Sequence, residues 1–126
     1  MPAHLEHINI TVSDLDRSLA MVQSLFGWEV RWRGASIHNG ETVHVGGADT
    51  YLALYQHTKQ GPGTDDSYHT TGGLNHVGVV VDHLDKVEEK VKALGFTPHS
   101  HADYEPGRRF YFLDHDGVEF EVVSYK

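Results

Sequence analysis

Residues 7–16 read HINITVSDLD, and residues 76–85 read HVGVVVDHLD. The second stretch repeats the first at an offset of 69 residues, measured from His7 to His76, and the same offset relates Leu25 to Leu94. A stretch that recurs at a fixed spacing indicates two copies of one structural unit. We therefore expect the chain to fold as two similar modules.

Each copy predicts the same order of elements. Residues 7–12 and 76–81 are rich in β-branched side chains, which is typical of strands. A stripe of apolar residues at helical spacing follows in each copy, at Leu15, Leu19, Val22 and Leu25 and at Leu84, Val87, Val91 and Leu94. Three extended segments complete each copy, at residues 29–33, 41–45 and 51–56 and at residues 97–99, 109–113 and 119–125.

Helix ends are marked in both copies. Ser13-x-x-Asp16 and, more weakly, Asp82-x-x-Asp85 fit a helix N-cap, and Gly27 and Gly95 stand where a helix ends in a left-handed residue. The sequence thus predicts an α+β fold of two tandem βαβββ modules within a single domain of residues 1–126. Module one spans about residues 4–58, a flexible linker rich in Gly, Pro and Asp spans about 59–73, and module two spans about 74–126.

Composition narrows the class of function. The 126 residues include 10 Lys+Arg against 18 Asp+Glu, for a net charge of −8, with eleven His and no Cys. This balance argues against nucleic acid or an anionic membrane as partners, and the lack of cysteine excludes thiolate metal sites and a cysteine nucleophile. No segment approaches the roughly 20 apolar residues of a membrane span, and the first residues do not resemble a signal peptide. We expect a cytoplasmic protein.

The candidates for chemistry are defined by their positions in the repeat. A histidine at the start of a strand is usually structural, but His7 and His76 occupy equivalent places in two modules and could face one metal ion. On the last strand, Glu119 and Glu121 share a face of the sheet. The apolar residues around them suggest a strand buried on both faces, where an unpaired carboxylate would be costly and a metal ion would compensate it.

The repeated stretches at residues 7–16 and 76–85, together with FLDHDGVEFEVV at residues 112–123, resemble sequences of the vicinal oxygen chelate superfamily. That superfamily includes glyoxalase I, bleomycin-resistance proteins, fosfomycin-resistance transferases and type I extradiol dioxygenases. The resemblance implies a curved, barrel-like mixed sheet that cups one divalent metal ion, a small-molecule substrate and, usually, a homodimer. The resemblance implies that His7, His76 and Glu121 are the metal ligands, whereas Glu119 does not match a ligand position. It does not distinguish Zn, Ni, Mn and Fe as the bound metal.

The chain departs from the patterns of the superfamily at several positions. The fourth ligand of glyoxalase I falls on Ala53, which cannot bind metal. Tyr111 resembles the active-site tyrosine of the dioxygenases and fosfomycin transferases, although a core aromatic is at least as good an interpretation. The extradiol signature is imperfect at His101 and His115, and the anion-binding arginine that follows the last strand in fosfomycin transferases is not matched before Lys126.

Further candidates would contact the substrate. Arg109 offers forked donors for an anionic group, or else a surface salt bridge, while Tyr51 and His44 are candidate substrate-binding residues. His99 and His101 are expected to share one strand face. The favoured hypothesis is a homodimeric metalloenzyme with glyoxalase-like lyase or isomerase chemistry, in which Glu121 shuttles a proton and Tyr111 orients the substrate. The alternatives are an Fe(II) or Mn(II) extradiol-type dioxygenase and a metal-free protein that binds a drug or another small ligand.

Overall fold

A computed structural model describes residues 2–64 and 66–126. The chain divides into two compact units, Met1–Gly61 and Pro62–Lys126, and the division falls within the Gly- and Pro-rich stretch that separates the sequence repeats. Neither helix formed by the described residues is long and apolar enough to cross a membrane.

The first unit is a mixed sheet with one helix. Its elements are β1 (His7–Thr11), α1 (Leu15–Phe26), β2 (Glu29–Ala35), β3 (Glu41–Gly46) and β4 (Tyr51–Gln56), with a short 3-10 turn at Ile37–Asn39. The strands lie in the order β1-β4-β3-β2; β1 and β4 run parallel, and the other neighbours run antiparallel.

The second unit repeats this arrangement. Its elements are β5 (Val77–Val80), α2 (Leu84–Ala93), β6 (His99–Tyr104), β7 (Gly107–Leu113) and β8 (Glu119–Ser124). The strand order is β5-β8-β7-β6, again with the first pair parallel. Two helices and eight strands in the described residues, arranged in two four-stranded mixed sheets, confirm the predicted α+β fold of paired βαβββ modules.

Alternation along the strands decides which side chains are available for chemistry. Val43 and Val45 of β3, and Phe110 and Phe112 of β7, are completely buried, and the helices pack against these central strands. Because successive strand residues point to opposite faces, residues such as Tyr111 lie on the face that the helix does not cover. We call this the open face of each sheet.

Both helix starts differ from the predicted caps. Asp14, with extended backbone angles, is the N-cap of α1, and its carboxylate accepts a hydrogen bond from the backbone N–H of Arg17 at 3.1 Å. Ser13 lies one residue too early for this role. His83 rather than Asp82 precedes α2, and in the described part of the chain its side chain makes no capping hydrogen bond.

Strand β6 contains a bulge that separates two histidines expected on one face. Ser100 has a φ of 55°, and the register with β7 shifts between His99 and Ala102. His99 therefore stacks with Tyr111 on the open face, with a ring-centroid distance of 6.2 Å. His101 instead pairs with Glu88 of α2 at 2.9 Å. The expectation of a shared face is wrong, because an extra residue in a strand reverses the side to which the following side chains point.

Candidate functional site

His76 and Glu121 meet at the open face of the second sheet. The His76 Nε2 atom lies 3.2 Å from Glu121 Oε1, and the two side chains are 31% and 13% exposed. Two ligands bound to one metal ion at about 2.1 Å and at a right angle would lie roughly 3.0 Å apart. The separation and the nitrogen and oxygen donors therefore fit a pair of neighbouring ligands of a divalent metal ion.

Arg109 is hydrogen-bonded to the other oxygen of the Glu121 carboxylate. Its Nη1 atom donates to Glu121 Oε2 at 2.8 Å, and its guanidinium lies over the ring of Tyr104 at 5.0 Å. Burial by itself lowers the pKa of Arg109. The hydrogen bond to Glu121 and the charges of neighbouring groups raise it by more, so the pKa of Arg109 is raised overall. Arg109 is thus an internal partner of Glu121. Its buried Nε and Nη2 atoms have no hydrogen-bond partner among the described residues.

Tyr111 lies beside both predicted ligands in this unit. It is directly opposite Glu121 in the β7–β8 register, and its ring meets that of His76 edge-on, with a centroid distance of 5.6 Å. Burial, followed by the charge of Glu121, raises the pKa of the Tyr111 phenol. Tyr111 therefore belongs to the open face, and the core interpretation of this residue is wrong.

Tyr68 is a residue of the site that sequence reasoning missed. Its hydroxyl donates to Glu119 Oε1, and its oxygen lies 3.4 Å from His76 Nδ1. The hydrogen bond to Glu119, with a smaller contribution from burial, raises the pKa of Tyr68 to about 12. Tyr68 falls in the stretch predicted as a linker, whose composition indicates only a loop. Glu119, set aside as a ligand, is its acceptor.

In the first unit, the open face carries His7, Tyr51 and His44. The ring of Tyr51 stacks on His7 and His44 at centroid distances of 4.9 and 4.5 Å, and the guanidinium of Arg31 lies 4.6 Å from its centre. Burial, followed by the charges of His7 and Arg31, lowers the pKa of His44. These three predicted residues are therefore brought together on one sheet.

Glu6 organises this cluster. Its Oε1 atom lies 2.9 Å from His7 Nδ1 and accepts a hydrogen bond from the Tyr51 hydroxyl at 3.0 Å. The bonds to His7 and then to Tyr51 lower the pKa of Glu6, while burial and then the bond to Glu6 raise the pKa of Tyr51. The Tyr51 hydroxyl is thus already bonded within its own unit.

The strand registers explain why Ala53 is the position of the absent fourth ligand. Ala53 lies opposite His44 on one side and Asn9 on the other. In the second sheet, Glu121 lies between Tyr111 and Gly78 in the same way. Ala53 is therefore the counterpart of Glu121.

Neither unit by itself contains all three predicted metal ligands. Across residues 2–64 and 66–126, no three His, Cys, Asp or Glu side chains are grouped closely enough to hold a metal ion. His76 and Glu121 provide two neighbouring donors in the second unit, and the third predicted ligand, His7, is in the first unit.

Comparison with known proteins identifies relatives across the whole fold. The family model described as Glyoxalase/Bleomycin resistance protein/Dioxygenase superfamily matches residues 4–122. A glyoxylase/bleomycin resistance protein/dioxygenase domain from Frankia sp. EAN1pec is 22% identical, with a TM-score of 0.81 and coverage of 98% of each chain.

Two further solved structures have the same fold. A glyoxalase family protein from Enterococcus faecalis is 19% identical, with a TM-score of 0.75, over 95% of this chain and 96% of the other. A variant of the fosfomycin resistance protein FosX from Listeria monocytogenes is 23% identical, with a TM-score of 0.72, over 98% of this chain and 93% of the other. The FosX structure is a complex with Mn(II) and 1S,2S-dihydroxypropylphosphonic acid.

Proposed function

This chain belongs to the Glyoxalase/Bleomycin resistance protein/Dioxygenase superfamily, and we propose that it is a divalent-metal-dependent enzyme that acts on a small substrate with neighbouring oxygen atoms. The proposed metal ligands are His76, Glu121 and His7. The observation that carries the proposal is the 3.2 Å approach of His76 Nε2 to Glu121 Oε1. This distance supports the proposal, because a nitrogen and an oxygen atom of the kinds that bind Zn, Ni, Mn or Fe lie side by side on a partly buried surface.

Two observations outside this pair support the proposal. The FosX relative was solved with Mn(II), which supports a divalent metal in this fold. In the first unit, Glu6 engages Nδ1 of His7, and a metal-binding histidine commonly has its second ring nitrogen held by a carboxylate in this way. This leaves Nε2 of His7 as the proposed third donor.

Each remaining side chain has a definite task in this scheme. A bound metal ion would polarise the substrate oxygens and stabilise the negative charge that develops on them. Tyr111, whose raised pKa keeps its hydroxyl protonated, would donate to a substrate oxygen and orient it, and Arg109 keeps Glu121 in place. We propose that Glu121 shuttles a proton in a glyoxalase-like isomerisation. To do so, its Oε2 atom must first separate from Arg109.

A second candidate reaction is extradiol-type ring cleavage. His99 favours it, because its ring stacks with Tyr111 and an imidazole beside the substrate-orienting phenol can act as an acid or base. His101, the histidine nearer to the dioxygenase sequence pattern, is instead bonded to Glu88. Loading the protein with Fe(II) without oxygen and then adding catechol and O₂ separates the two reactions. A coloured ring-cleavage product would reject the isomerase assignment, whereas turnover of a hemithioacetal without that product would support it.

Metal content tests the proposal itself. The protein is purified without a metal-chelating tag, and bound metals are measured by mass spectrometry for the wild type and for His76→Ala, Glu121→Ala and His7→Ala. We expect a stoichiometric divalent metal in the wild type and its loss in all three variants. The exposed His83, which has no place in the proposed site, supplies a matched control, and His83→Ala should retain the metal. A wild type that neither contains nor takes up Zn, Ni, Mn or Fe would reject the proposal in favour of a metal-free ligand-binding protein.

We also propose a homodimer, because subunit pairing is common in this superfamily. Light scattering at micromolar protein concentration tests this directly. A dimer mass supports the assignment, and a monomer mass contradicts it.

A further inference from the structure

We propose that Tyr68 is a positioning residue for His76: its hydroxyl, held by Glu119, accepts a hydrogen bond from His76 Nδ1 and keeps Nε2 directed at Glu121. The inference rests on the proposed function, since it assigns the residues that orient one of the metal ligands. It gives roles to two residues that neither the sequence pattern nor the proposed ligand set uses.

The direction of the hydrogen bonds follows from the number of protons. A tyrosine hydroxyl has a single proton to donate, and that of Tyr68 is donated to Glu119. The lone pairs that remain face His76 Nδ1 at 3.4 Å, so Nδ1 must be the donor in this contact. The ring is thereby held with its other nitrogen, Nε2, 3.2 Å from Glu121 Oε1.

The first unit contains the simpler form of this arrangement. There, Glu6 precedes His7 in the sequence and contacts Nδ1 directly at 2.9 Å. The residue before His76 is Asn75, whose side-chain amide donates to the backbone oxygen of Ser67 at 3.3 Å. No carboxylate is therefore adjacent to His76 in sequence, and Glu119 reaches Nδ1 through the hydroxyl of Tyr68.

The turns of residues 66–73 hold Tyr68 in place. The backbone oxygen of Asp66 accepts hydrogen bonds from the backbone N–H of Thr70 at 3.1 Å and from the Thr70 hydroxyl at 2.7 Å. The N–H of Gly73 then donates to the Thr70 oxygen at 2.8 Å. A Cβ at Gly73 would lie 2.9 Å from the backbone oxygens of Ser67 and Thr70, so this turn requires glycine at that position.

Zinc affinity provides the first test. Metal-depleted protein is titrated with Zn²⁺ in competition with a chromophoric chelator. Tyr68→Phe, which removes only the hydroxyl, should bind Zn²⁺ at least about tenfold more weakly than the wild type, the size of effect found when a partner of a metal ligand is lost. Glu119→Ala should also weaken binding, whereas Glu119→Gln keeps an acceptor for the Tyr68 proton and should restore most of the affinity. The exposed Tyr125 offers the same chemical change elsewhere in the unit, and Tyr125→Phe should bind as the wild type does.

NMR spectroscopy of ¹⁵N-labelled protein supplies a readout that a general loss of structure would not mimic. We expect a slowly exchanging proton on Nδ1 of His76, assigned by its absence in His76→Gln, in both the Zn²⁺-loaded and the metal-free protein. In Tyr68→Phe the signal should be lost, through faster exchange with water in the Zn²⁺-loaded protein, where Nδ1 keeps its proton, whereas in Tyr125→Phe it should persist.

The outcomes separate this inference from the proposed function. If the wild type binds Zn²⁺ and Tyr68→Phe binds it equally well, the role of Tyr68 is rejected while the metal site stands. If the wild type binds none of Zn, Ni, Mn and Fe, the proposed function fails, and the metal-free spectra decide the orientation of His76. A His76 ring without a proton on Nδ1 would then overturn the inference, and a proton that depends on Tyr68 would support it.

Discussion

Arg109 Nη1 lies 2.8 Å from Glu121 Oε2, and the two side chains are only 15% and 13% exposed. Replacing Arg109 by Met keeps a long apolar stem but leaves the carboxylate of Glu121 buried without its cationic partner, a change that is strongly unfavourable. We expect Arg109→Met to lower the urea midpoint of unfolding and to weaken metal binding, because Glu121 loses the contact that fixes its orientation.

The neighbouring arginine provides the matched control. Arg108 approaches Asp85 at 3.4 Å, but both side chains are well exposed, and exposed pairs contribute little to stability. Arg108→Met should leave the urea midpoint and the metal affinity close to those of the wild type. Equal losses in the two variants would contradict a special role for the pair of Arg109 and Glu121.

The bond between Tyr68 and Glu119 should be visible in the alkaline titration of the metal-free protein. Because the pKa of Tyr68 is raised to about 12, only roughly one-tenth of this phenol is ionised at pH 11. Wild type and Tyr68→Phe should therefore have nearly the same tyrosinate absorbance at that pH. In Glu119→Ala the pKa returns toward its usual value of 10.0, so adding Tyr68→Phe to that variant should remove about one tyrosinate. If the wild type already had about one tyrosinate more than Tyr68→Phe at pH 11, the assigned hydrogen bond between Tyr68 and Glu119 would be contradicted.

Asp114 makes a pH-dependent contribution to stability. Its Oδ1 atom accepts hydrogen bonds from the backbone N–H groups of Asp116 and Val118 at 2.8 and 2.9 Å, yet burial outweighs these bonds and raises the pKa of Asp114 above its usual 3.8. The folded state therefore holds the proton more tightly than the unfolded state. The stability that this group contributes is present at low pH and is lost as the pH rises from 3.8 through the folded-state pKa.

A comparison with Asp114→Asn isolates this effect, because an amide oxygen can accept the same two bonds without ionising. Urea unfolding of both proteins between pH 4 and pH 7.5 should show the wild type losing stability relative to the variant as the pH rises. The difference should become constant once Asp114 is ionised in the folded protein. A wild type that gains stability relative to Asp114→Asn over this range would contradict the raised pKa.

The sequence predicted the modules because their periodicities are local. Alternation in residues 7–12 and a helical stripe from Leu15 to Leu25 determine a strand and a helix without reference to the rest of the chain. The open-face position of Glu121 follows from the same two-residue period. This is why the fold and the face on which Glu121 lies could be predicted, whereas the choice of Glu121 over Glu119 as a candidate ligand depended on the family resemblance.

The contacts that complete the site could not be predicted in this way. Tyr68 is brought to His76 by turns built from backbone hydrogen bonds, and Arg109 meets Glu121 through pairing between strands that leaves no local pattern. The positive φ of Ser100, which separates His99 from His101, is likewise unusual for a residue other than glycine. Each depends on tertiary structure rather than on spacing in the sequence.

The N-cap of α1 is a local feature whose contribution can be measured separately. Asp14→Ala removes the acceptor for the N–H of Arg17, and the loss of such a cap typically costs about 1 kcal/mol of the free energy of unfolding. The corresponding variant of α2, His83→Ala, removes a side chain that makes no capping bond in the described residues and should change stability little. Because α1 covers β3 and β4, which carry His44 and Tyr51, both the free energy of unfolding and the Zn²⁺ affinity should be measured for the two variants.

We expect Asp14→Ala to have a lower free energy of unfolding, measured by chemical denaturation, and an unchanged Zn²⁺ affinity in the folded state. If the two variants had equal free energies of unfolding, the start of α1 would be stabilised by packing rather than by the Asp14 cap.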